Sequence, residues 1–333
     1  MAPPIFVVGP PRSGTTLTAK ILGRHSRIFM PGETHFFDDI YSRRRELGEL
    51  QSAESIGRVM ARLKTLYGRY NEKPDQERVE GLLQKSDVIE DLKGCRSYQE
   101  IFSCFMQIQM RLTGKVRWGN NVPKDIFHMK EIMSFYPHAK ILICIRDVRD
   151  FLLSYQSKWK VTSEEHVERM KSLYHPIVTS LLWKASVKQI GRVEGLVPPK
   201  NLMVLRYESL VEKTESVVRE ICRFIGEDFE PDMLDVQEQN SSFSVNQNGI
   251  YSSSVERWRR MLSNEEAYIA QKLTKSRLER FGYRTVELKI NPLKVAYIWA
   301  TLPYGLWRAL HANKTIRGPL VPYVVRRTVA LMR

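Results

Sequence analysis

Near its amino terminus the chain carries a loop built to hold a phosphate. Residues 5–17 read Ile5-Phe6-Val7-Val8-Gly9-Pro10-Pro11-Arg12-Ser13-Gly14-Thr15-Thr16-Leu17. An apolar run ends at Gly9, a second glycine follows at Gly14, and a helix is predicted over 17–24. A strand–loop–helix of this kind aims successive backbone N–H groups at one point, at the positive end of a helix dipole, where an anion is favoured. The spacing Gly9-x4-Gly14 is that of a P-loop, which continues with Lys-Ser or Lys-Thr. Thr15 and Thr16 stand there instead, so the lysine that reaches the β/γ-phosphates of ATP is missing, and the positive charge sits earlier, at Arg12. The loop, with Arg12, Ser13, Gly14, Thr15 and Thr16, suits a phosphate but not triphosphate hydrolysis. The competing reading is a turn with no ligand.

A second constellation is Arg146-Asp147-Val148-Arg149-Asp150, followed by Ser154. Arg146 leaves the end of the apolar run 140–145, and Ser154 falls early in the next helix, so both can face one pocket. A guanidinium and a hydroxyl suit a dianionic phosphate. Arg149 and Asp150 are expected to cap and brace that helix. An ion-pair cluster at a strand–helix junction would read the same way.

On these residues the chain resembles the sulfotransferases. Pro11 to Leu17 match the family's Pro-Arg-Ser-Gly-Thr-Thr-Leu loop, which holds the 5′-phosphosulfate of 3′-phosphoadenosine 5′-phosphosulfate (PAPS). The Arg-Asp-x-Arg-Asp…Ser pattern follows the family's central strand, where the arginine and serine hold the 3′-phosphate; Arg146 and Ser154 match them. Tyr207, in Arg206-Tyr207-Glu208-Ser209-Leu210, matches a tyrosine that lies by the adenine, or is a half-buried tyrosine at a strand end. A late loop, 249–258, resembles the segment that closes over the 3′-phosphate. Ser252, Ser254 and Arg257 are its candidates, although the spacing departs from the eukaryotic pattern, and Ser254 also reads as the N-cap of the helix containing Trp258. The resemblance covers roughly residues 4–285.

Sulfuryl transfer is an in-line displacement, in which positioning and charge stabilisation dominate. A hydroxyl acceptor needs a base, and a cation stabilises the leaving phosphate. Arg12 is the expected cation. Glu33, in Gly32-Glu33-Thr34-His35-Phe36-Phe37, matches the glutamate proposed as the base in tyrosylprotein and glycosaminoglycan sulfotransferases. His35 competes for that role, or is a packing histidine. Related bacterial proteins carry Trp-Gly-x-Lys-Thr-Pro where this chain has Trp118-Gly119-Asn120-Asn121-Val122-Pro123. Asn121 replaces the lysine, and Lys124 is a candidate substitute or a plain surface lysine. No metal is implied.

The elements that must position these groups read as α/β. Strands are predicted over 5–8, 28–30, 140–145 and 202–205, with helices over 126–135, 150–159, 163–193, 214–225 and 258–281. Residues 118–125 and 237–251 read as loops, and 38–116 as a charged helical insertion. The 140–145 strand is continuously apolar, as a parallel strand covered on both faces should be. The expected fold is a three-layer sandwich with a central parallel sheet, whose ligands lie at the carboxyl ends of the strands. Residues 1–287 are expected to form the catalytic domain, with 38–116 as an acceptor cap, and 288–333 a basic helical tail.

The 333 residues are 43% hydrophobic and carry a net charge of +15. No helix-turn-helix, zinc-finger or RNA-binding motif accompanies the charge, which argues against nucleic acid. Cys95, Cys104, Cys144 and Cys222 lack metal or redox spacing. The first strand starts almost at once, so no secretory signal is expected and the setting reads as cytoplasmic, unlike that of Golgi-anchored relatives. Residues 288–333 hold eight Lys/Arg and no acid. Within them 295–307 is apolar and aromatic, shorter than the ~20 residues of a membrane span, and a second apolar run, 320–325, precedes Arg326-Arg327. This tail fits either an anionic membrane surface, where each cation contributes about 1 kcal/mol, or packing on the domain or at a homodimer interface. The reading is therefore a PAPS-dependent sulfotransferase acting on a hydroxyl or amine of a carbohydrate, lipid-linked glycan, peptide or metabolite. The alternatives are a P-loop kinase of small molecules or nucleosides, and a non-catalytic nucleotide-binding protein.

Overall fold

The computed structural model describes residues 2–50, 52–71, 73–157, 167–236 and 249–312. Five parallel strands form one sheet: β1 (Ile5–Val8), β2 (Ile28–Phe29), β3 (Arg117–Asn121), β4 (Lys140–Ile145) and β5 (Leu202–Arg206), in the order β2-β3-β1-β4-β5. β1 lies at the centre, with Ile5 opposite both Gly119 and Lys140.

Alternation along the strands builds the three layers. Phe6, Val8, Ile141, Ile143 and Ile145 point to one core, which is filled by Leu63, Leu66, Phe102 and Phe105 of the insertion and by Trp183 and Val187. Ile5, Val7, Leu142, Cys144 and Leu205 point to the other, against Leu17, Ile21 and Leu22 of helix Thr15–Arg24 and Val217, Val218 and Ile221 of helix Thr214–Ile225. Both faces of the sheet are dry, as a parallel sheet requires. All four cysteines are free thiols.

Four expectations are corrected, the first being helix 163–193, which among the described residues is two helices, Val167–Ser172 and Pro176–Glu194. Residues 117–121 are not loop but strand β3 between β1 and β2. Helix 126–135 is a 3-10 turn, Pro123–Phe127, followed by helix Met129–Phe135. Helix 258–281 is two, Trp258–Met261 and Asn264–Arg280, the second opened by a capping box between Ser263 and Glu266. The insertion is helical as expected, and its helices Ala53–Tyr70, Lys73–Leu82, Ser86–Lys93 and Tyr98–Leu112 lie between β2 and β3. The expected loop at 237–251 falls largely outside the described residues, as do the run 320–325 and Arg326-Arg327. No described helix is long and apolar enough to cross a membrane.

Candidate functional site

The loop after β1 is shaped by backbone that few residues tolerate. Gly14 has φ 93°, and a Cβ there would lie 2.6 Å from the Tyr207 ring. Gly14 is also the N-cap of helix Thr15–Arg24, with no side-chain cap and no acid in the first turn. The first amides of that helix are thus left for a ligand. Ser13 is fully buried, and its Oγ has no hydrogen-bond partner. A buried, unmatched hydroxyl beside open helix amides is what an absent phosphate would leave behind. Thr15 is buried and Thr16 exposed.

Arg12 completes the loop at φ 67°. Its Nε donates to Ser154 Oγ at 3.1 Å, which joins the first motif to the second. Burial, and then the neighbouring Arg146, pull the Arg12 guanidinium down from its ordinary value; arginine still remains a cation. The non-glycine residues with positive φ among those described are Arg12, His35 and Glu256. All three lie in segments singled out for chemistry, and backbone strain of this kind concentrates at functional sites.

Around Arg146 a second pocket closes. The Arg146 guanidinium stacks 4.3 Å over the Tyr207 ring and donates to the Ser254 carbonyl at 2.8 Å. Tyr207 Oη and Ser254 Oγ are 2.7 Å apart. Nε of Arg146 is buried without a partner, a second donor left for an anion. Ser254 belongs to a 3-10 turn, Ser252–Ser254, and is not the N-cap of the Trp258 helix; Arg257 is, without a side-chain cap bond. Arg12, Ser13, Gly14, Arg146, Ser154, Tyr207 and Ser254 thus converge. Ser252 is exposed, and Arg257 donates to Ser253 O within its own turn.

The Arg146 segment is braced by residues that no motif disclosed. Trp183, fully buried, donates its indole N–H to Arg146 O at 2.9 Å. The N-cap of helix Val148–Gln156 is Asp147, not Arg149 or Asp150. Arg149 grips Asp147 and donates to Gln271, while Asp150 accepts from the Trp258 N–H at 2.9 Å. Burial pushes the Asp150 carboxyl up to about 6.

On the other side of the loop lies an acid–base cluster. Glu33 Oε2 accepts from His35 Nε2 at 2.8 Å. His35 is buried, Nδ1 included, and its ring lies 3.9 Å from that of Tyr70. Asn71 donates to Glu33 O at 3.0 Å and packs on Gly32, where a Cβ would meet its Oδ1 at 1.8 Å. The end of helix Ala53–Tyr70 and the residue after it therefore press on Glu33 and His35. Lys124 Nζ is 3.4 Å from Asp38 Oδ2, and that oxygen is 4.0 Å from His35 Nδ1. Beneath runs a buried chain: Thr34 donates to Asn120 Oδ1 at 2.9 Å, and Asn120 Nδ2 to Asp125 Oδ2 at 2.8 Å. Burial, with Asp38 and Glu33 nearby, pushes the Asp125 carboxyl well above the usual carboxylate range.

A parallel sheet in this order with a P-loop-like turn after its central strand defines an α/β protein with a P-loop-like turn at its centre. The family model for the Sulfotransferase family matches residues 3–231, and the chain belongs to that family. An uncharacterized protein of Aquifex aeolicus is 26% identical over 268 residues, covering 77% of this chain and 30% of that protein. The 3-beta-hydroxysteroid sulfotransferase of Cavia porcellus is 31% identical over 124 residues, 36% of this chain and 40% of that one. The matches thus span less than half the length of these relatives. Among solved structures, the sulfotransferase domain from the curacin biosynthetic pathway superposes with a TM-score of 0.58 at 19% identity, covering 86% of this chain and 99% of that one. The sulfotransferase domain of the Synechococcus PCC 7002 olefin synthase gives 0.55 at 18%, covering 86% and 96%. These two share the fold.

Proposed function

We propose that the protein transfers the sulfuryl group of PAPS to a hydroxyl, or an amine, of its acceptor, with Glu33 as general base. The observation that carries this reading is the convergence of two anion pockets on one arginine pair. The amides of Gly14 to Thr16, Ser13 Oγ and Arg12 suit a 5′-phosphosulfate, and Arg146 Nε with Ser154 suits a 3′-phosphate. Tyr207, stacked under Arg146, is the candidate to lie by the adenine. Bound there, PAPS would supply an electrophilic sulfuryl group.

The chain's own residues do the rest. Glu33 takes the proton of the incoming hydroxyl, and the His35 Nε2–H bond holds its carboxylate in place. Arg12 and the helix amides stabilise the charge that develops as the donor phosphate leaves, a preorganised electrostatic effect. Tyr70 and Asn71 bring the insertion to the rim of Glu33, which supports residues 38–116 as the acceptor cap of a 1–287 catalytic unit. Lys124, paired with Asp38, stands close enough to this cluster to replace the lysine whose place Asn121 takes. A cytoplasmic setting fits the free thiols. The kinase alternative is disfavoured by Thr15 in the lysine position and by family membership.

The test is an acceptor screen with radiolabelled PAPS. Label should move to a hydroxylated acceptor, and Glu33→Gln should lower kcat by about 10²–10⁴-fold with PAP (3′,5′-bisphosphoadenosine) affinity unchanged. Full activity in Glu33→Gln, with His35→Ala inactive, would transfer the role of base to His35.

A further inference from the structure

The helical hairpin at the carboxyl side of the domain, Pro292–Ala300 and Leu302–Ala312, is anchored on one side and bare on the other. Asn264 donates to Lys289 O at 2.9 Å, and Asn291 N donates to Glu265 Oε1 at 3.0 Å. His175 and Thr301 meet at 3.3 Å through Nε2 and Oγ1. Gly305 lies flush on His175, where a Cβ would come within 2.5 Å of the ring. These contacts fix the hairpin to helix Pro176–Glu194 and helix Asn264–Arg280.

The outward side is apolar to a degree that water does not favour. Leu293 is 80% exposed, Tyr297 69%, Tyr304 60% and Trp307 54%, with Trp299 and Leu306 nearly half exposed. No residue of the first helix is buried, and in the second only Gly305 is. Tyr304 and Trp307 stack at 5.9 Å, so part of this ledge is already ordered. Patches of this kind on a folded domain mark an interaction surface.

Charge selects the occupant. Lys294 and Arg308 flank the aromatic stretch, and the described residues 288–312 contain three Lys/Arg and no acid. A second copy of the chain docking symmetrically would bring the cations of this acid-free hairpin toward their own copies, which like-charge repulsion opposes. Aliphatic and aromatic side chains lying between cations suit a bilayer interface, where rings sit at headgroup level and cations meet anionic lipid. We infer that this hairpin docks the protein in the plane of an anionic phospholipid surface. The inference does not depend on the sulfotransfer reading.

The experiment is co-sedimentation of the full chain with vesicles of phosphatidylcholine, with and without phosphatidylglycerol. The protein should pellet with the anionic vesicles at low salt and be released by high salt. The double variant Tyr304→Ser/Trp307→Ser should bind at least tenfold more weakly while keeping its Tm and PAP affinity, since both side chains are exposed. Bromolipid quenching of tryptophan fluorescence should fall in Trp307→Phe. The inference is overturned if the full chain ignores anionic vesicles, or if the double variant pellets equally well. It is also overturned if the face proves to hold a dimer that the variant dissociates, or single-stranded DNA in preference to lipid.

Discussion

Glu33 Oε2 and His35 Nε2 are joined by a 2.8 Å hydrogen bond. The two candidate bases are therefore one unit: a partly exposed carboxylate oriented by a buried imidazole. Their effects should be strongly non-additive, because removing either breaks the same hydrogen bond. Glu33→Gln should cost about 10²–10⁴-fold in kcat, His35→Gln should cost less, and the double variant should be no worse than Glu33→Gln alone. Steady-state kinetics on the four proteins decides it; multiplicative losses would mean independent roles.

The buried chain Thr34–Asn120–Asp125 holds the Glu33 segment against β3. Since burial pushes the Asp125 carboxyl well above the usual carboxylate range, the neutral amide of Asp125→Asn suits the site and still accepts from Asn120. It should cost less than about 1 kcal/mol of stability, whereas Asp125→Ala strands the Asn120 amide and should cost about 1–3 kcal/mol. Denaturant unfolding at neutral pH separates them. Equal losses would contradict this.

Asp150 makes stability depend on pH in a definite direction. Its carboxyl is pushed up to about 6 by burial, whereas an unfolded aspartate releases its proton near pH ~4. Between these values the folded chain holds a proton that the unfolded chain has released, so this group's contribution to stability falls as pH rises through the window and is level above it. Asp150→Asn keeps an acceptor for the Trp258 N–H and cannot ionise. Its advantage over the native chain should grow from pH ~4 to neutrality, reaching on the order of 2–3 kcal/mol. An advantage that shrinks with rising pH in unfolding curves would contradict this.

The proposed displacement uses protein cations and helix amides where a kinase uses Mg²⁺. EDTA should leave sulfate transfer within a small factor. An absolute requirement for a divalent metal would favour the kinase alternative.

What the sequence disclosed followed its apolar runs and its motifs. β1 and β4 were legible because their side chains are largely buried on both faces and read as nearly unbroken hydrophobic segments, and the half-buried edge strand β5 because Leu202 to Leu205 are all apolar. β3 was not: Arg117, Asn120 and Asn121 interrupt it, and their burial is supported only by distant partners. Arg117 donates to Pro3 O and Ile225 O, partners that meet it only once the fold has formed. That Arg12, Arg146, Ser154 and Tyr207 come together was legible because each sits at a fixed place after a strand. Ser252 and Arg257 were assigned on looser spacing; Ser252 is exposed and Arg257 donates to Ser253 O. Tyr70, Asn71, Asp125 and Trp183 had no motif to announce them, since tertiary packing alone brings them to the site.

On this reading the paired anion sites at Arg12 and Arg146 take a nucleotide phosphorylated at both 3′ and 5′ positions. Titration calorimetry with PAP and with ATP is the decisive measurement. PAP should bind at least tenfold more tightly than ATP. Arg146→Ala should weaken PAP by about 1.5–3 kcal/mol, the cost of removing a charge-assisted hydrogen bond, while leaving the weak ATP binding nearly unchanged. Tighter binding of ATP than of PAP, or PAP affinity indifferent to Arg146, would contradict the account.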